Sequence, residues 1–304
     1  PDEWRLHADA VRLQFSAGAW LALLRPAFDA SGEAAARLER SAAGAGVVVT
    51  TGQQPGLFGG PLYTLAKALS ARALADALEA ETGIPTAPVF WAATDDADFA
   101  EASVTTVALD GEAITLRHGG APAEGTPMSA TPLGGDVPAL LDTFARACGS
   151  AADGRVLDAA RQAYRAGATV GGAYVVLLRA LLEPLGIAVL DASQPSVREA
   201  GFTLLRRALM QAASIEQVVA ERAVAIAAAG YTPQVADVAG RSLVFRYDDE
   251  GRKARVAVAD ARALVPGVAR GALGPNVLLR PVVERSILPT VAYVAGPGEY
   301  AYFA

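Results

Sequence analysis

One stretch constrains this chain more than any other. Gly46-Val47-Val48-Val49-Thr50, a short β-branched run, passes into Thr51-Gly52-Gln53-Gln54-Pro55-Gly56-Leu57-Phe58-Gly59-Gly60 and then into helix-forming sequence from Pro61. β-Branched residues suit a buried strand, and the glycines mark a loop. The helix is expected over Pro61 to Glu81, with proline in its first turn and Gly83 past its end. Leu62, Leu65, Leu69 and Leu78 give it a core-facing stripe. A second strand, Thr86 to Ala93, follows, so residues 47–93 form a βαβ unit. Such a unit calls for an α/β fold with a doubly wound parallel sheet, where ligands bind outside the carboxyl ends of the strands.

The flanking sequence fits that host. Residues 1–43 read as helix, broken near Ser31-Gly32-Glu33. After an acidic loop, Val104 to Leu109 and Ala113 to Arg117 read as strands joined at Asp110-Gly111. Helices are expected over Val137 to Cys148, Val156 to Arg165 and Ala173 to Leu182, then a buried strand Ile187 to Asp191 and a helical run from Gln194 to about Ala229. Strands near Gln234 to Asp237, Ser242 to Tyr247 and Ala254 to Val258 suggest a hairpin insertion. The stretch from Val277 to Tyr302 reads as a strand and a glycine loop that opens a helix. The division expected is 1–109 as the first half of the core with N-terminal helices, 110–170 as a connecting insertion, 171–229 as core continuation, 230–274 as the hairpin insertion and 275–304 as the end of the core. A helix opening at the final residues implies a missing C-terminal region.

Composition excludes several classes. With 52% hydrophobic residues in 304, the chain has ample material for a core. Its apolar runs are all shorter than the roughly 20 residues a bilayer span needs, and charges throughout Pro1 to Arg25 show no signal peptide. The net charge of −6, with 26 basic residues scattered and no Lys/Arg stripe, argues against nucleic acid as a partner. A single cysteine, Cys148, fits the reducing cytoplasm.

The chemistry-bearing residues each allow two readings. Gly52, Gly56, Gly59 and Gly60 either let backbone amides approach an anion at a helix N-terminus or simply serve a turn. Their spacing is neither the dinucleotide fingerprint nor a Walker A motif. Tyr63 and Lys67 share a helix face, and Lys67 is either an anion contact or a solvated helix lysine. Asp95, Asp96 and Asp98 follow a strand end, where they suit an ammonium, a proton or Mg²⁺, or the capping of a short helix near Phe99. Glu299, in Gly296-Pro297-Gly298-Glu299, has the same duality, while Arg280 and Glu284 flank Pro281 and are placed to pair. His7 and His118 lack zinc-site spacing and read as structural. Cys148 has no base nearby and reads as a small filler.

The run from Val47 to Ala68 resembles the signature of the bacillithiol-biosynthesis cysteine-adding family, BshC. Three further blocks match in order: Pro88-Val89-Phe90-Trp91 with its acidic loop, Pro275-Asn276-Val277-Leu278-Leu279-Arg280-Pro281-Val282-Val283-Glu284, and Leu288-Pro289-Thr290-Val291-Ala292-Tyr293-Val294-Ala295-Gly296-Pro297-Gly298-Glu299. The resemblance implies a Rossmann-like core with inserted connecting segments, followed in relatives by a C-terminal coiled coil that supports homodimers. It implies a ligase adding L-cysteine to glucosaminyl-malate, the last step in making the low-molecular-weight thiol bacillithiol. How the cysteine carboxyl is activated stays open, with ATP the candidate cofactor. Asp95, Asp96 and Asp98 become the catalytic candidates. Thr51, Gly52, Gln53, Gln54, Gly56, Gly59, Tyr63, Lys67, Trp91, Asn276, Arg280, Gly296, Gly298 and Glu299 become candidates for substrate or anion binding, and no metal ligand is assigned. One departure stands out: relatives usually carry Glu-Asp-His-Asp in the acidic loop, and this chain has Asp95-Asp96-Ala97-Asp98. That substitution keeps a non-catalytic ligand-binding paralogue in play. A class I synthetase-like adenylating enzyme is a further alternative, although H-x-G-H and K-M-S-K-S are missing from this sequence. A dehydrogenase would need an acidic residue about 20 positions beyond the glycines, and none is clearly placed.

Overall fold

The computed structural model describes residues 2–149, 153–233, 235 and 239–303. Three helices lead the chain: α1 (Asp2–Arg12), α2 (Ala19–Phe28) and α3 (Gly32–Ala43). Strand β1 (Val47–Gln53), helix α4 (Tyr63–Thr82) and strand β2 (Thr86–Ala92) then form the βαβ unit. Gly83 closes α4 at φ 71°, the left-handed conformation that glycine adopts without strain. Next come α5 (Phe99–Ala102), the hairpin β3 (Val104–Leu109) and β4 (Glu112–Arg117), α6 (Val137–Cys148), α7 (Gly154–Ala163), α8 (Val170–Leu182) and β5 (Ala188–Asp191). Asp110 and Gly111 both hold positive φ, as a two-residue hairpin turn of this twist requires. The remainder is α9 (Pro195–Met210), α10 (Ala212–Ala228), β6 (Arg241–Tyr247), β7 (Lys253–Ala257), α11 (Val258–Leu264), β8 (Leu273–Pro275), α12 (Arg280–Ile287), β9 (Thr290–Tyr293) and α13 (Pro297–Phe303).

Contacts divide the chain into two units, residues 1–193 with 290–294, and residues 194–289 with 295–304. The first holds a parallel sheet in the order β5-β2-β1-β9. Every residue of β2 and all but the last of β1 are buried, which a strand achieves only when both faces of its sheet are covered. On one face Val47 and Val49 pack with Ala8 and Val11 of α1 and with Ala71, Ala75 and Leu78 of α4. Phe90 and Val189 pack with Tyr174, Val175 and Leu178 of α8. Helices α2 and α3 also lie against this sheet, Arg37 donating to the Thr86 carbonyl at 3.0 Å and Ser41 to that of Val47 at 2.8 Å. The fold is α/β, Rossmann-like and doubly wound, as the βαβ unit requires. In the second unit β7-β6-β8 form an antiparallel sheet around a core of Phe202, Leu205, Leu209, Val244, Leu273 and Val283.

Several local expectations are corrected. Thr51, Gly52 and Gln53 extend β1 instead of opening the loop, because their pairing with β2 continues to Gln53 opposite Ala92. The helical run after Gln194 is two helices, divided at Gln211, whose ψ of 14° leaves the helical path. Val277 to Leu279 are not strand; they lead into α12, with Asn276 bonding the Leu279 amide, and the strand comes later as β9. The strand expected over 234–237 falls at residues 234, 236 and 237, outside the described residues. No helix among the described residues is long and apolar enough to cross a membrane.

Candidate functional site

The carboxyl ends of β1, β2, β5 and β9 share one edge of the first unit. The chain leaves β1 towards β2 and β5 and returns on the other side as β9, so the strand order reverses between β1 and β9. That is where a doubly wound sheet opens a crevice. Here Thr51 donates its hydroxyl to the Val294 carbonyl at 2.8 Å, and the Val294 amide donates to Thr50 at 2.8 Å. A Cβ on Gly52 would sit 2.9 Å from the Trp91 carbonyl oxygen, so glycine is required by the approach of β2.

Helix α4 starts beneath this edge, and Lys67 is turned inward. Its side chain is buried, and Nζ donates to the Gly52 carbonyl at 2.5 Å and to Gln53 Oε1 at 3.2 Å. Gln53 Nε2 donates onward to the Tyr63 hydroxyl at 3.1 Å. The solvated helix lysine is therefore overturned: the ammonium is held against the Gly52 carbonyl and the Gln53 side chain.

The glycine loop is shaped by its own closure. Gly59 donates its amide to Gly56 and Gly60 donates to Leu57, at 3.1 and 3.2 Å. Phe58, Gly59 and Gly60 have φ of 54°, 100° and 76°, and a Cβ on Gly56 would lie 2.5 Å from the Gly60 Cα. Phe58 is held in this conformation between Phe144 and Tyr164, with ring centroids 4.9 and 4.8 Å away. The buried Tyr164 hydroxyl donates to the Gly56 carbonyl at 3.3 Å, and burial pushes that phenol well above its usual pKa. With the Gly59 and Gly60 amides engaged inside the loop, they do not fit a nucleotide phosphate.

The acidic loop lies beside the first group: the Ala93 amide donates to the Gln53 carbonyl at 3.0 Å. Asp98 caps α5, accepting from the Glu101 amide at 3.0 Å, and Asp96 Oδ1 accepts from the Ala97 and Asp98 amides at 2.6 and 3.1 Å. Asp95 is half-buried in the same loop. The capping reading of this cluster is therefore realised by Asp98, with Asp96 fixing the turn ahead of it. Among the described residues no three His, Cys, Asp or Glu side chains gather as a metal site.

Two groups here escaped the sequence reading. Partial burial, then Asp98 and Asp96, raises the Glu101 carboxyl above its usual range, and a hydrogen bond from Gln54 opposes the shift. Asp191, ending β5, accepts from Thr94 Oγ1 and from the Ser193 amide and hydroxyl, the latter two at 3.0 and 2.8 Å. The rule that selects Asp95 at the end of β2 also selects Asp191 at the end of β5, so a signal for it existed.

The second unit holds its own polar group. Asn276 is buried, its Oδ1 accepting from the Leu279 amide at 3.0 Å, while its Nδ2 has no hydrogen-bond partner among the described residues. Arg280 pairs with the buried Glu284 at 2.8 Å, as their spacing across Pro281 suggests, and lies 3.9 Å from Glu299. Glu299 accepts from the Gly296 amide at 2.8 Å. Among the described residues, nothing outside its own helix backbone and chain neighbours lies within 4 Å of a Cβ placed on Gly298.

Comparison with known proteins places these groups in a family. Residues 19–263 and 269–304 match the N-terminal Rossmann-like domain of the bacillithiol biosynthesis protein BshC. Among curated relatives, a protein of Koribacter versatilis named "Putative cysteine ligase BshC" is 36% identical over 300 residues, covering 93% of this chain and 55% of its own length. Its namesake in Solibacter usitatus is 36% identical over 286 residues, or 88% and 52% of the two chains. That of Heliobacterium modesticaldum is 31% identical over 292 residues, or 90% and 53%. The chain thus spans about half the length of the curated relatives it matches.

Proposed function

Because the chain belongs to the BshC family of bacillithiol biosynthesis, matching its N-terminal Rossmann-like domain over most of its length, we propose that it forms the substrate-binding core of an amide-forming ligase joining L-cysteine to glucosaminyl-malate. One observation carries this reading: two chemically different groups meet at the carboxyl edge of the sheet. The Lys67, Gln53 and Tyr63 cluster offers hydrogen-bond donors to an acid. The neighbouring loop offers Asp95, Asp96 and Asp98 to an amine. Amide formation needs both, since the amine must be held and must lose a proton as its nitrogen attacks the carboxyl carbon, while one carboxyl oxygen departs with the group that activated it. We assign Asp96 and Asp98 to holding the ammonium and receiving that proton, and Thr51, Gly52, Gln53, Gln54, Tyr63 and Lys67, with Trp91, to the acid. In the second unit Asn276, Arg280, Gly296, Gly298 and Glu299 are assigned to substrate or anion binding, supported by the orphaned Nδ2 of Asn276.

The single cysteine of the chain supports a cytoplasmic setting, and the resemblance to dimeric relatives supports a homodimer at full length. The partners assigned are small molecules, neither nucleic acid nor membrane. Full-length protein incubated with cysteine, glucosaminyl-malate and ATP should yield a product of the mass of bacillithiol. Binding of glucosaminyl-malate without product would favour the non-catalytic paralogue, the reading that Ala97 supports. Absence of both binding and product would remove the ligase assignment.

A further inference from the structure

The acidic loop is gripped from two sides within the first unit. On one side the grip is backbone: the Met128 amide donates to the Asp96 carbonyl at 2.7 Å and the Ser129 amide to the Thr94 carbonyl at 2.9 Å. Met128 is itself buried against Ala102 and Val170, which gives that contact a packed support. On the other side the grip is made by side chains. The buried Thr94 bonds Asp191, the residue that ends β5 and lies opposite Ala92 in the sheet. A carboxylate accepts hydrogen bonds and does not donate them, so the one proton of the Thr94 hydroxyl is turned to Asp191. The Thr94 oxygen is then left to accept from the Ser193 amide at 3.3 Å. Ser193 also donates its amide and hydroxyl to Asp191 Oδ1, so the turn after β5 braces both partners.

We infer that Asp191 is a positioning residue which, through Thr94, fixes the acidic loop so that Asp96 and Asp98 stand where the substrate amine arrives. The amine rests on the ligase reading; the hold on the loop does not. Thr94 immediately precedes Asp95, so a shift of its side chain is passed directly to the carboxylates that follow. A misplacement of about 1 Å at a reacting group costs on the order of 10² in rate. In this role Asp191 serves as an acceptor and touches no reacting atom. A carboxamide in its place keeps an acceptor oxygen for Thr94 and Ser193, whereas a methyl group keeps none.

Hydrogen exchange of the full-length protein reads the hold at the Met128 and Ser129 amides, whose acceptors are carbonyls of the loop. Asp191→Ala and Thr94→Val should each speed exchange there roughly 10- to 100-fold, while Asp191→Asn and Thr94→Ser stay within about threefold of wild type. Amides inside β1 and β2 should keep their protection in all four, which separates loosening of the loop from loss of the fold. Asp191→Ala combined with Thr94→Val should exchange no faster than Asp191→Ala alone. Additive effects, or unchanged exchange at Met128 and Ser129, would overturn the hold. Cysteine addition by the same proteins gives the second readout. Asp191→Ala and Thr94→Val should lower kcat roughly 10- to 100-fold with KM for cysteine unchanged, and the two conservative variants should restore most of it. A loss in Asp191→Asn as deep as in Asp191→Ala would mean that the charge itself acts on substrate, and would overturn the positioning role. Faster exchange with unaltered kcat would overturn the tie between loop and amine. If exchange responds as expected but the unaltered protein neither binds glucosaminyl-malate nor makes product, the hold on the loop stands and the ligase reading, with its amine, fails.

Discussion

At the scale of single residues, Gly59 and Gly60 show how far a glycine pattern can be read. The spacing marks a special backbone, and the structure supplies the reason: both hold positive φ, and Gly60 combines φ 76° with ψ −163°, a region essentially confined to glycine. The sequence does not reveal that their amides close the loop on itself. Gly59→Val, which an anion cradle would tolerate in folding while losing affinity, is therefore expected to be strained with or without ligand. Gly60→Ala should lower unfolding free energy by about 1 to 3 kcal/mol, read from urea denaturation with the m-value unchanged; wild-type stability would mean that the loop relaxes. Ala97 carries a second expectation, since its amide holds Asp96 and the family pattern expected from the sequence has histidine at its position. A positioned acid or base contributes about 10² to 10⁴ in rate. Ala97→His should raise turnover of cysteine addition with little change in affinity for glucosaminyl-malate, and unchanged turnover in a folded, binding protein would give the histidine of relatives a structural role.

At the scale of elements, the β3–β4 hairpin is fastened to α6 by one polar joint. Asp136, at the start of α6, accepts from His118 Nδ1 at 2.8 Å and from the Gly119 amide at 2.7 Å. Burial works to raise the Asp136 carboxyl, but the Gly119 amide and His118 outweigh it and the pKa is lowered. A carboxylate depressed on folding stabilises the protein above its unfolded pKa, and that contribution fades as pH falls through the folded value. Asp136→Asn should therefore melt lower than wild type near neutral pH, and the gap should close as pH drops below about 4. A gap constant with pH would assign the effect to packing. The hairpin itself was legible from Asp110-Gly111, and α4 from its proline start and glycine stop, because those signals are local. The division of α9 from α10 was not, since Gln211 carries no glycine or proline signal. Helix α12 did carry a proline start at Pro281, but the apolar run from Val277 to Leu279 ahead of it read as strand, and Asn276 bonding to the Leu279 amide turns that run towards the helix instead.

At the scale of the whole chain, the sheet depends on a late arrival. The neighbour of β1 on one side is β2, a βαβ unit away; on the other it is β9, which begins more than 230 residues after β1 ends. No local pattern reports such a pairing, so the βαβ unit could be read from sequence while the strand order could not. The candidate site shares that split. Gln53, Lys67 and the acidic loop were found because they follow strands or share a helix turn, whereas the Lys67 to Gly52 bond depends on packing. A chain ending at residue 289 loses β9, and with it the bonds from Thr51 to Val294 and from Val294 to Thr50. It should leave β1 as an unpaired edge and be prone to self-association. Size-exclusion profiles of the truncated and complete chains check this, and a stable monomer of wild-type melting temperature would show that β9 is dispensable. The same order of strands bears on how the protein is born. At a synthesis rate of 5 to 20 residues per second, the roughly 100 residues between β5 and β9 take about 5 to 20 s to emerge. For that interval the side of β1 that β9 will cover has no strand to pair with.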